Sequence, residues 1–288
     1  MSQPEPAAAD ATGPPADAHV HSECSWDAPY ASMEQACRRA AELGLPSIAL
    51  TDHADFTPRR IADAAKPQEW KRPMIADRVL TPPPLDVARY LRSIEACRER
   101  FPGLRIVSGI ELGEPHRHRQ RAAEVLDGTG FERILASVHT LPGATGATTV
   151  DAAFEAEPPH QVVRRYLAEV HRLTLAFTGF HVLAHINYAA RFWPQAAGEH
   201  LVTDFEEDYR AVFAVLAATG KVLEVNTNVR FDQHLLRWWR LEGGQAIAFG
   251  SDAHRPEQIA RGFAEASTLA ATAGFLPSGG PGDLWMRR

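Results

Sequence analysis

Two histidines separated by one residue, His19 and His21, are the first residues in the chain whose types and spacing could do chemistry. They lie at the first predicted strand, and because alternate residues of a strand share a face, both rings project to the same side. Two imidazoles so placed could bind a metal ion through ring nitrogens, with Asp17 or Asp52 holding the free ring N–H. Because the H-x-H pattern also arises by chance, a pair of surface histidines at a strand end is the alternative.

The elements that would position these rings alternate between strand and helix. Ser32 and Gln35 have the spacing of a capping box and predict a helix that ends at Leu43, before Gly44. The next apolar run, Ser47–Leu50, predicts a strand. Further strands are predicted over residues 104–108, 133–137, 181–184, 222–225 and 246–249, and further helices over 86–101, 161–179, 204–219 and 257–273, with one more ending near 128. Seven strands, nearly all followed by helices, indicate an α/β fold with a parallel sheet closed or nearly closed into a barrel.

Candidate metal ligands stand at or just beyond the carboxyl ends of six predicted strands. They are His19, His21, His53, Glu111, His139, His185, Asp252 and His254. Because the carboxyl ends of barrel strands form one rim, we expect these side chains to face one site. Imidazole and carboxylate ligands without thiolates suit zinc, manganese or iron. A carboxylate such as Glu111 can bridge two ions that hold a hydroxide between them, which indicates metal-assisted hydrolysis.

A series of short motifs surrounds these ligands. They are the run from His19 to Asp27 (HVHSECSWD), Thr51-Asp52-His53, Gly109-Ile-Glu111, Ser137-Val-His139, Ala184-His185, Glu224-Val-Asn226-Thr227 and the run from Gly250 to Glu257 (GSDAHRPE), with Gly262-Phe263 downstream. In type and order they resemble the PHP (polymerase and histidinol phosphatase) superfamily, and most closely its monofunctional histidinol-phosphatase branch. The resemblance covers residues 17–275.

The resemblance implies a distorted seven-stranded (βα)7 TIM-like barrel with a trinuclear site of divalent metal ions, zinc, manganese or iron. By the same resemblance, one ion is held by His19, His21, Glu111 and Asp252, a second by Glu111, His139 and His185, and the third by Asp27, His53 and His254. The implied reaction is hydrolysis of a small phosphomonoester, best matched by L-histidinol phosphate in histidine biosynthesis. A metal-bridging hydroxide held by Glu111 and Asp252 would attack phosphorus, without a covalent nucleophile.

Arg191 and Arg230 are the candidate substrate-binding residues, because an arginine fork suits a bidentate contact with phosphate. Arg191 follows His185 by six residues, and Arg230 follows Asn226 by four. For each arginine, an ordinary surface salt bridge is the alternative. Asn226 could orient substrate or water, or it could cap a local turn.

The overall composition restricts the partners. A formal net charge of -6 and a pI near 6.1 argue against an extended nucleic-acid surface. A PHP phosphoesterase acting on a nucleotide or short oligonucleotide stays open as an alternative, as does a metal-binding regulatory module without turnover. Three cysteines without a C-x-x-C pair favour a reducing compartment, and no apolar stretch approaches the length of a membrane span. We therefore expect a cytoplasmic protein whose partner is a small-molecule phosphate ester, with the oligomeric state left open.

The sequence predicts one domain with two irregular segments. Residues 1–16 are rich in Pro and Ala and predict a disordered tail before a single domain over 17–288. Within it, residues 54–84 lack a clean period and predict a lid-like insertion. Residues 142–150 are rich in Gly, Ala and Thr and predict a loop on the substrate side.

A second H-x-H pair, His116 and His118, is predicted not to be a ligand pair. It stands where a helix should begin, and residues two apart on a helix point to different faces. We expect an exposed basic helix start at this position.

Overall fold

A curled, mainly parallel β-sheet with helices packed against it gives the chain a mixed α/β fold. The computed structural model describes residues 13–63, 65–279 and 284–288, so residues 1–12 of the predicted tail lie outside it. Within those ranges the strands are β1 (Asp17–Val20), β2 (Ser47–Leu50), β3 (His53–Asp55), β4 (Arg59–Arg60), β5 (Ile75–Ala76), β6 (Val79–Leu80), β7 (Arg105–Gly113), β8 (Arg133–Ser137), β9 (Thr140–Gly143), β10 (Gly146–Thr149), β11 (Val182–Leu183), β12 (Val222–Asn226), β13 (Ala246–Gly250), β14 (Phe275–Pro277) and β15 (Trp285–Arg287). The α-helices are α1 (Met33–Glu42), α2 (Val87–Arg100), α3 (Arg119–Leu126), α4 (Val150–Ala156), α5 (Pro159–Ala176), α6 (Glu206–Ala218), α7 (Gln233–Leu241) and α8 (Phe263–Thr272).

The larger sheet has the spatial order β1-β2-β7-β8-β11-β12-β13, with every neighbouring pair parallel, and β15 and β14 then follow antiparallel. The sheet curls until its first and last parallel strands meet: Val20 bridges Ala253, and the His21 N–H donates to the Ala253 carbonyl at 2.9 Å. Because the strands are parallel, their carboxyl ends lie on one side of the sheet. A closed seven-stranded barrel stays a prediction, since a single isolated bridge joins these two edges in the described residues.

Local sequence explains where the elements begin and end. The Ser32 hydroxyl accepts from the Gln35 N–H and starts α1, as predicted, and the Asp86 carboxylate caps α2 in the same way. The strands β2 and β8 have the predicted bounds. The strand β7 is longer than predicted and continues to Gly113, so Glu111 lies inside it.

One prediction about an irregular segment is wrong. Residues 142–150 form most of an antiparallel hairpin, β9 and β10, rather than a loop. That hairpin pairs with β4, and β5, β6, β4, β10 and β9 together make a second, five-stranded sheet. The insertion at residues 54–84 contains the short strands β4, β5 and β6, which pair with one another, and β4 also pairs with β10. Its lid-like role stays a prediction.

Side chains alternate along the curled sheet and fill both of its faces. On β13, Ile247 and Phe249 pack among the helices α5 to α8, whereas Ala248 joins a small inner cluster with Ala18 and Ala184. A second apolar cluster packs α1 and α2 against β2 and β7. Within the described residues, no helix combines the length and apolar character needed to cross a membrane.

Candidate metal centre

His19 and His21 place their rings together at the end of β1. Both are buried, and their Nε2 atoms lie 3.1 Å apart. Glu111 Oε2 lies 3.0 Å from His19 Nε2, and Asp252 Oδ1 lies 3.2 Å from His21 Nε2. The structure therefore brings together the four side chains predicted for the first ion.

Glu111 lies between two groups of histidines. While its Oε2 atom faces His19, its Oε1 atom lies 2.7 Å from His185 Nε2 and 3.3 Å from His139 Nε2. The Nε2 atoms of His139 and His185 are 3.4 Å apart. A carboxylate with one oxygen toward each group has the geometry required of a bridge between two cations.

Asp27, His53 and His254 form the third predicted group. Asp27 Oδ2 lies 2.9 Å from His254 Nε2 and 3.2 Å from His53 Nε2. The His21 ring stacks on the His53 ring with centroids 4.4 Å apart, which joins this group to the first. All nine predicted ligands are thus brought to one centre.

The donor set fits divalent ions. Among the described residues, four groups of His, Asp and Glu each have ligand atoms within 4.8 Å of one another. Three groups contain predicted ligand sets, apart from Asp252, and the fourth joins His53 and His139 to Asp55. Four imidazoles at the centre have a buried Nδ1 atom without a hydrogen-bond partner: His21, His53, His139 and His185. Buried imidazoles with unsatisfied nitrogens, beside carboxylates and without thiolates, suit zinc, manganese or iron.

Glu224, on β12, is a functional candidate that the sequence reasoning missed. Its Oε1 lies 2.7 Å from His19 Nδ1, and its Oε2 accepts from the His185 N–H at 2.6 Å. Gly250, on the neighbouring strand, leaves the necessary space, because a Cβ at that position would collide with the Glu224 carboxylate. The signal available in the sequence was a lone glutamate inside an otherwise apolar strand, which cannot be buried without partners.

Asp55 is the second missed residue. Its Oδ1 lies 3.4 Å from His139 Nδ1, and its Oδ2 accepts from Arg59 at 2.8 Å and from Trp26 Nε1 at 3.2 Å. Asp55 follows His53 by two residues on β3, a spacing that places both side chains on one face. The same spacing rule that selected His19 and His21 could therefore have found it.

Asp17 and Asp52 have partners other than the predicted ring N–H groups. Asp17 accepts from the main-chain N–H groups of Ser251 and Ala260, both at 3.0 Å. Asp52 accepts from the Ser22 N–H and hydroxyl, and it comes no closer than 4.0 Å to the His21 ring. Burial raises the pKa of Asp17 to about 6 and that of Asp52 to about 7.

The charges at the centre favour ionised carboxylates and a mixture of imidazole states. Burial alone would raise the pKa of Glu111, but the surrounding histidines, His53 foremost, hold it well below its usual range. Burial, aided by neighbouring imidazoles, lowers the pKa of His21 to about 3, so this ring is neutral with a lone pair available. Burial also acts to lower the pKa of His19, yet Glu224 and Glu111 raise it well above its ordinary value. A metal cation bound here would replace the proton on His19 as the positive charge that faces Glu111 and Glu224.

A cavity of about 400 Å³ opens onto the predicted ligands His53, His139 and Asp252. Arg191 lines it, with Nη2 2.9 Å from Asp252 Oδ2 and its guanidinium 5.0 Å from the Tyr188 ring centroid. The placement of Arg191 beside the centre agrees with the prediction.

The other two substrate candidates are not brought into the cavity. The Arg230 side chain is 89% exposed, with its nearest carboxylate, Glu265, at 3.7 Å, and it lines a separate groove. The loop after β12 carries it away from the cavity. Asn226 is buried and donates to Glu224 Oε2 at 3.2 Å, so it contacts the carboxylate that holds the histidines.

The insertion forms much of the cavity wall. Ile61, Lys71, Ile75 and Leu80 all line it, together with Thr149 of the hairpin. This position beside the centre is where a lid-like segment would lie, and the lid function itself stays a prediction.

The second H-x-H pair stays outside the centre, as expected. His118 occupies the N-cap position of α3 without a side-chain capping bond, and its ring lies 2.8 Å from the Thr57 hydroxyl. The expectation of an exposed helix start is wrong for His116, whose buried ring lies 2.6 Å from Glu169 on α5. A hydrogen bond to a residue of another helix holds this ring, which local helix geometry could not predict.

The PHP domain family matches residues 17–228, most of the chain, and the protein therefore belongs to the PHP domain family. The match ends within the loop after β12, and so covers the elements that carry every proposed ligand except Asp252 and His254.

Two relatives and a solved structure resemble this chain along nearly its whole length. A histidinol-phosphatase of Lactococcus lactis subsp. lactis (strain IL1403) is 23% identical over 90% of this chain and 91% of its own. A Thermotoga maritima protein named as a probable histidinol-phosphatase is 23% identical over 86% of this chain and 88% of its own. The crystal structure of the Lactococcus lactis histidinol phosphate phosphatase with Zn, L-histidinol and phosphate aligns with a TM-score of 0.74 at 23% identity, covering 91% of this chain and 94% of that chain. The structural likeness shows a shared fold.

Proposed function

We propose that the protein is a metal-dependent phosphomonoesterase that hydrolyses L-histidinol phosphate to L-histidinol and phosphate, a step of histidine biosynthesis. One observation carries the proposal: nine imidazole and carboxylate side chains converge beside a cavity that also holds an arginine. Membership of the PHP domain family and full-length similarity to proteins named histidinol-phosphatase support the choice of substrate. We retain the cytoplasmic location predicted from the cysteine pattern.

We infer that the centre holds three divalent ions, zinc, manganese or iron, on the ligand sets predicted from the sequence. Asp55 is left out of these sets because its carboxylate is already paired with Arg59 through Oδ2, although its Oδ1 has no hydrogen-bond partner. It would instead orient His139, much as Glu224 would orient His19. Bound ions would supply activation of water and neutralisation of charge on the phosphoryl group.

The residues of the chain would then bind and orient the phosphate ester. Arg191 already lies at hydrogen-bond distance from Asp252, so its guanidinium is placed to donate to a phosphoryl oxygen beside that ligand. No side-chain nucleophile is required. Burial raises the pKa of the Cys24 thiol, with Asp52 adding to the effect, which disfavours the reactive thiolate.

We also infer that the curled sheet is a distorted (βα)7 barrel. Seven consecutive parallel strands and the bridge between Val20 and Ala253 support this description. In such a barrel the carboxyl-terminal rim is the usual place for an active site, and that is where the ligands lie.

The test is phosphate release from L-histidinol phosphate by protein stripped of metal and reconstituted with manganese, zinc or iron. His21→Ala serves as the blank for a contaminating phosphatase. We expect turnover that requires both metal and His21. Turnover of a dinucleotide but of no amino-alcohol or sugar phosphate would contradict the proposed substrate, and metal binding without turnover of any phosphate ester would contradict catalysis.

A further inference from the structure

Four cationic side chains line the cavity beside the metal centre: Arg59, Lys66, Lys71 and Arg191. Two of them are already paired, Arg59 with Asp55 at 2.8 Å and Arg191 with Asp252 at 2.9 Å. Lys66 is exposed. Lys71 therefore differs from the other three in being half-buried without a paired carboxylate.

Lys71 is held by aromatic faces. Its Nζ lies 5.6 Å from the Trp26 ring centroid and 4.9 Å from the Trp70 ring centroid. Among the residues that the structure describes, no carboxylate forms an ion pair with Lys71 within 4.0 Å. Cation–π contacts orient an ammonium group without neutralising it, so the charge stays available to an anion.

Lys71 lies on the side of the cavity close to the proposed metal ligands. It lies in the short helix Glu69–Met74 of the insertion, whereas Arg191 lies in the short helix Tyr188–Phe192 that follows β11. The charges facing Lys71 are those of Asp27, Arg59 and Asp151, and Asp27 is a proposed metal ligand. Trp26, against which Lys71 packs, has its ring 6.2 Å from that of His53, another proposed ligand.

We propose that Lys71 is the second phosphate-binding cation of the active site. It acts together with Arg191 and has the phosphate-binding role that the sequence predicted for Arg230. This inference rests on the proposed phosphatase function and names a residue of the same site. A phosphomonoester carries about two negative charges at neutral pH. One arginine fork and one ammonium, supplied by separate elements, match that charge from two directions. The insertion thereby becomes part of the substrate site.

The experiment compares Lys71→Met, Lys71→Arg and Lys66→Met with the unchanged metal-loaded protein. Methionine keeps the aliphatic length of lysine and removes the charge, and Lys66 is the matched control because it is a second lysine of the same segment on the same cavity. The readouts are the Ki of inorganic phosphate, the KM for L-histidinol phosphate, and the metal content.

We expect Lys71→Met to raise both the Ki of phosphate and the KM by roughly tenfold, the effect of losing one charge-assisted contact. Lys71→Arg should recover most of the loss, and Lys66→Met should stay within about twofold of the unchanged protein. Metal content should not change in any variant. A structural role in packing the tryptophans would lower thermal stability without this charge-dependent change in Ki.

Two failures are distinguishable. An active enzyme whose Ki for phosphate is the same in Lys71→Met, or is raised equally by Lys66→Met, overturns the role of Lys71 and leaves the phosphatase function in place. If the unchanged, metal-loaded protein hydrolyses no phosphate ester, phosphate binding is measured directly by calorimetry. Phosphate binding that weakens in Lys71→Met then supports the cation site even though catalysis is refuted, and an absence of phosphate binding overturns both proposals.

Discussion

Replacing Glu224 with glutamine tests whether the missed carboxylate controls the metal centre. The two Glu224 oxygens face two different donors, His19 Nδ1 at 2.7 Å and the His185 N–H at 2.6 Å. The amide of Glu224→Gln has the same shape but only one acceptor oxygen, so its NH2 group must face one of these donors. The loss of one charge-assisted hydrogen bond amounts to about 1.5–3 kcal/mol. If this loss of free energy leaves His19 or His185 less well oriented for metal binding, metal affinity falls roughly tenfold to hundredfold.

The assay is competition for zinc against a chromophoric chelator at neutral pH, with protein stripped of metal beforehand. The matched control is Glu169→Gln, because Glu169 is equally buried but bonds His116 away from the centre. We expect Glu169→Gln to bind zinc as the unchanged protein does. Unchanged zinc affinity in Glu224→Gln, or an equal loss in both variants, would refute the argument that Glu224 acts through His19 and His185.

Three further predictions follow from the same contacts. Glu111→Gln should lower metal content and abolish phosphate release, because both groups of histidines lose a shared carboxylate; full activity would exclude bridging. Arg191→Ala should raise the KM for the phosphate ester by about tenfold or more with metal content unchanged, whereas Arg230→Ala should leave the KM unchanged; similar KM values for the two variants would contradict the placement. Burial opposes the shift, but the hydrogen bond from His116 and the charge and hydrogen bonds of the neighbouring arginines lower the pKa of Glu169 from 4.5 to about 2. A carboxyl group whose pKa is lowered in the folded state stabilises the protein at pH values above its unfolded-state pKa, and this contribution is lost as the pH falls. Glu169→Gln should therefore lower the free energy of unfolding by about 2 kcal/mol at neutral pH and flatten its acid dependence in urea between about pH 5 and 2. Parallel pH profiles for the variant and the unchanged protein would refute this.

Residues at strand ends were predictable because local patterns determine them. A short apolar run bounded by turn residues gave β2 and β8 their bounds, and the histidine that follows each strand within a few residues then falls on the rim. His53 and His139 were found in this way. Their position could be predicted from the local sequence, because the end of the strand places each of them on the rim.

Residues whose placement depends on the path of a loop or on distant pairing were not predictable in the same way. Arg230 stands four residues after Asn226, but the loop that carries it turns away from the cavity. The strand β10 of the hairpin pairs with β4, a strand more than eighty residues earlier. Spacing along the chain does not contain these contacts, and weak local propensity leaves them to tertiary structure.

Buried carboxylates hold the main chain beside the ligands, which explains how the centre keeps its shape. Each accepts from main-chain N–H groups next to or within a ligand segment: Asp17 from Ser251 and Ala260, Asp52 from Ser22, Glu114 from His139 and Thr140, and Glu224 from His185. Two proposed ligands, His185 and Asp252, have positive φ angles of 25° and 52°, a conformation that costs free energy unless surrounding contacts impose it. The bonds to the N–H groups of His185 and Ser251 supply such contacts at both positions. The ligand geometry is therefore imposed by the fold through carboxylates that are not themselves proposed ligands, and substitution of these carboxylates should disturb metal binding even though they touch no ion.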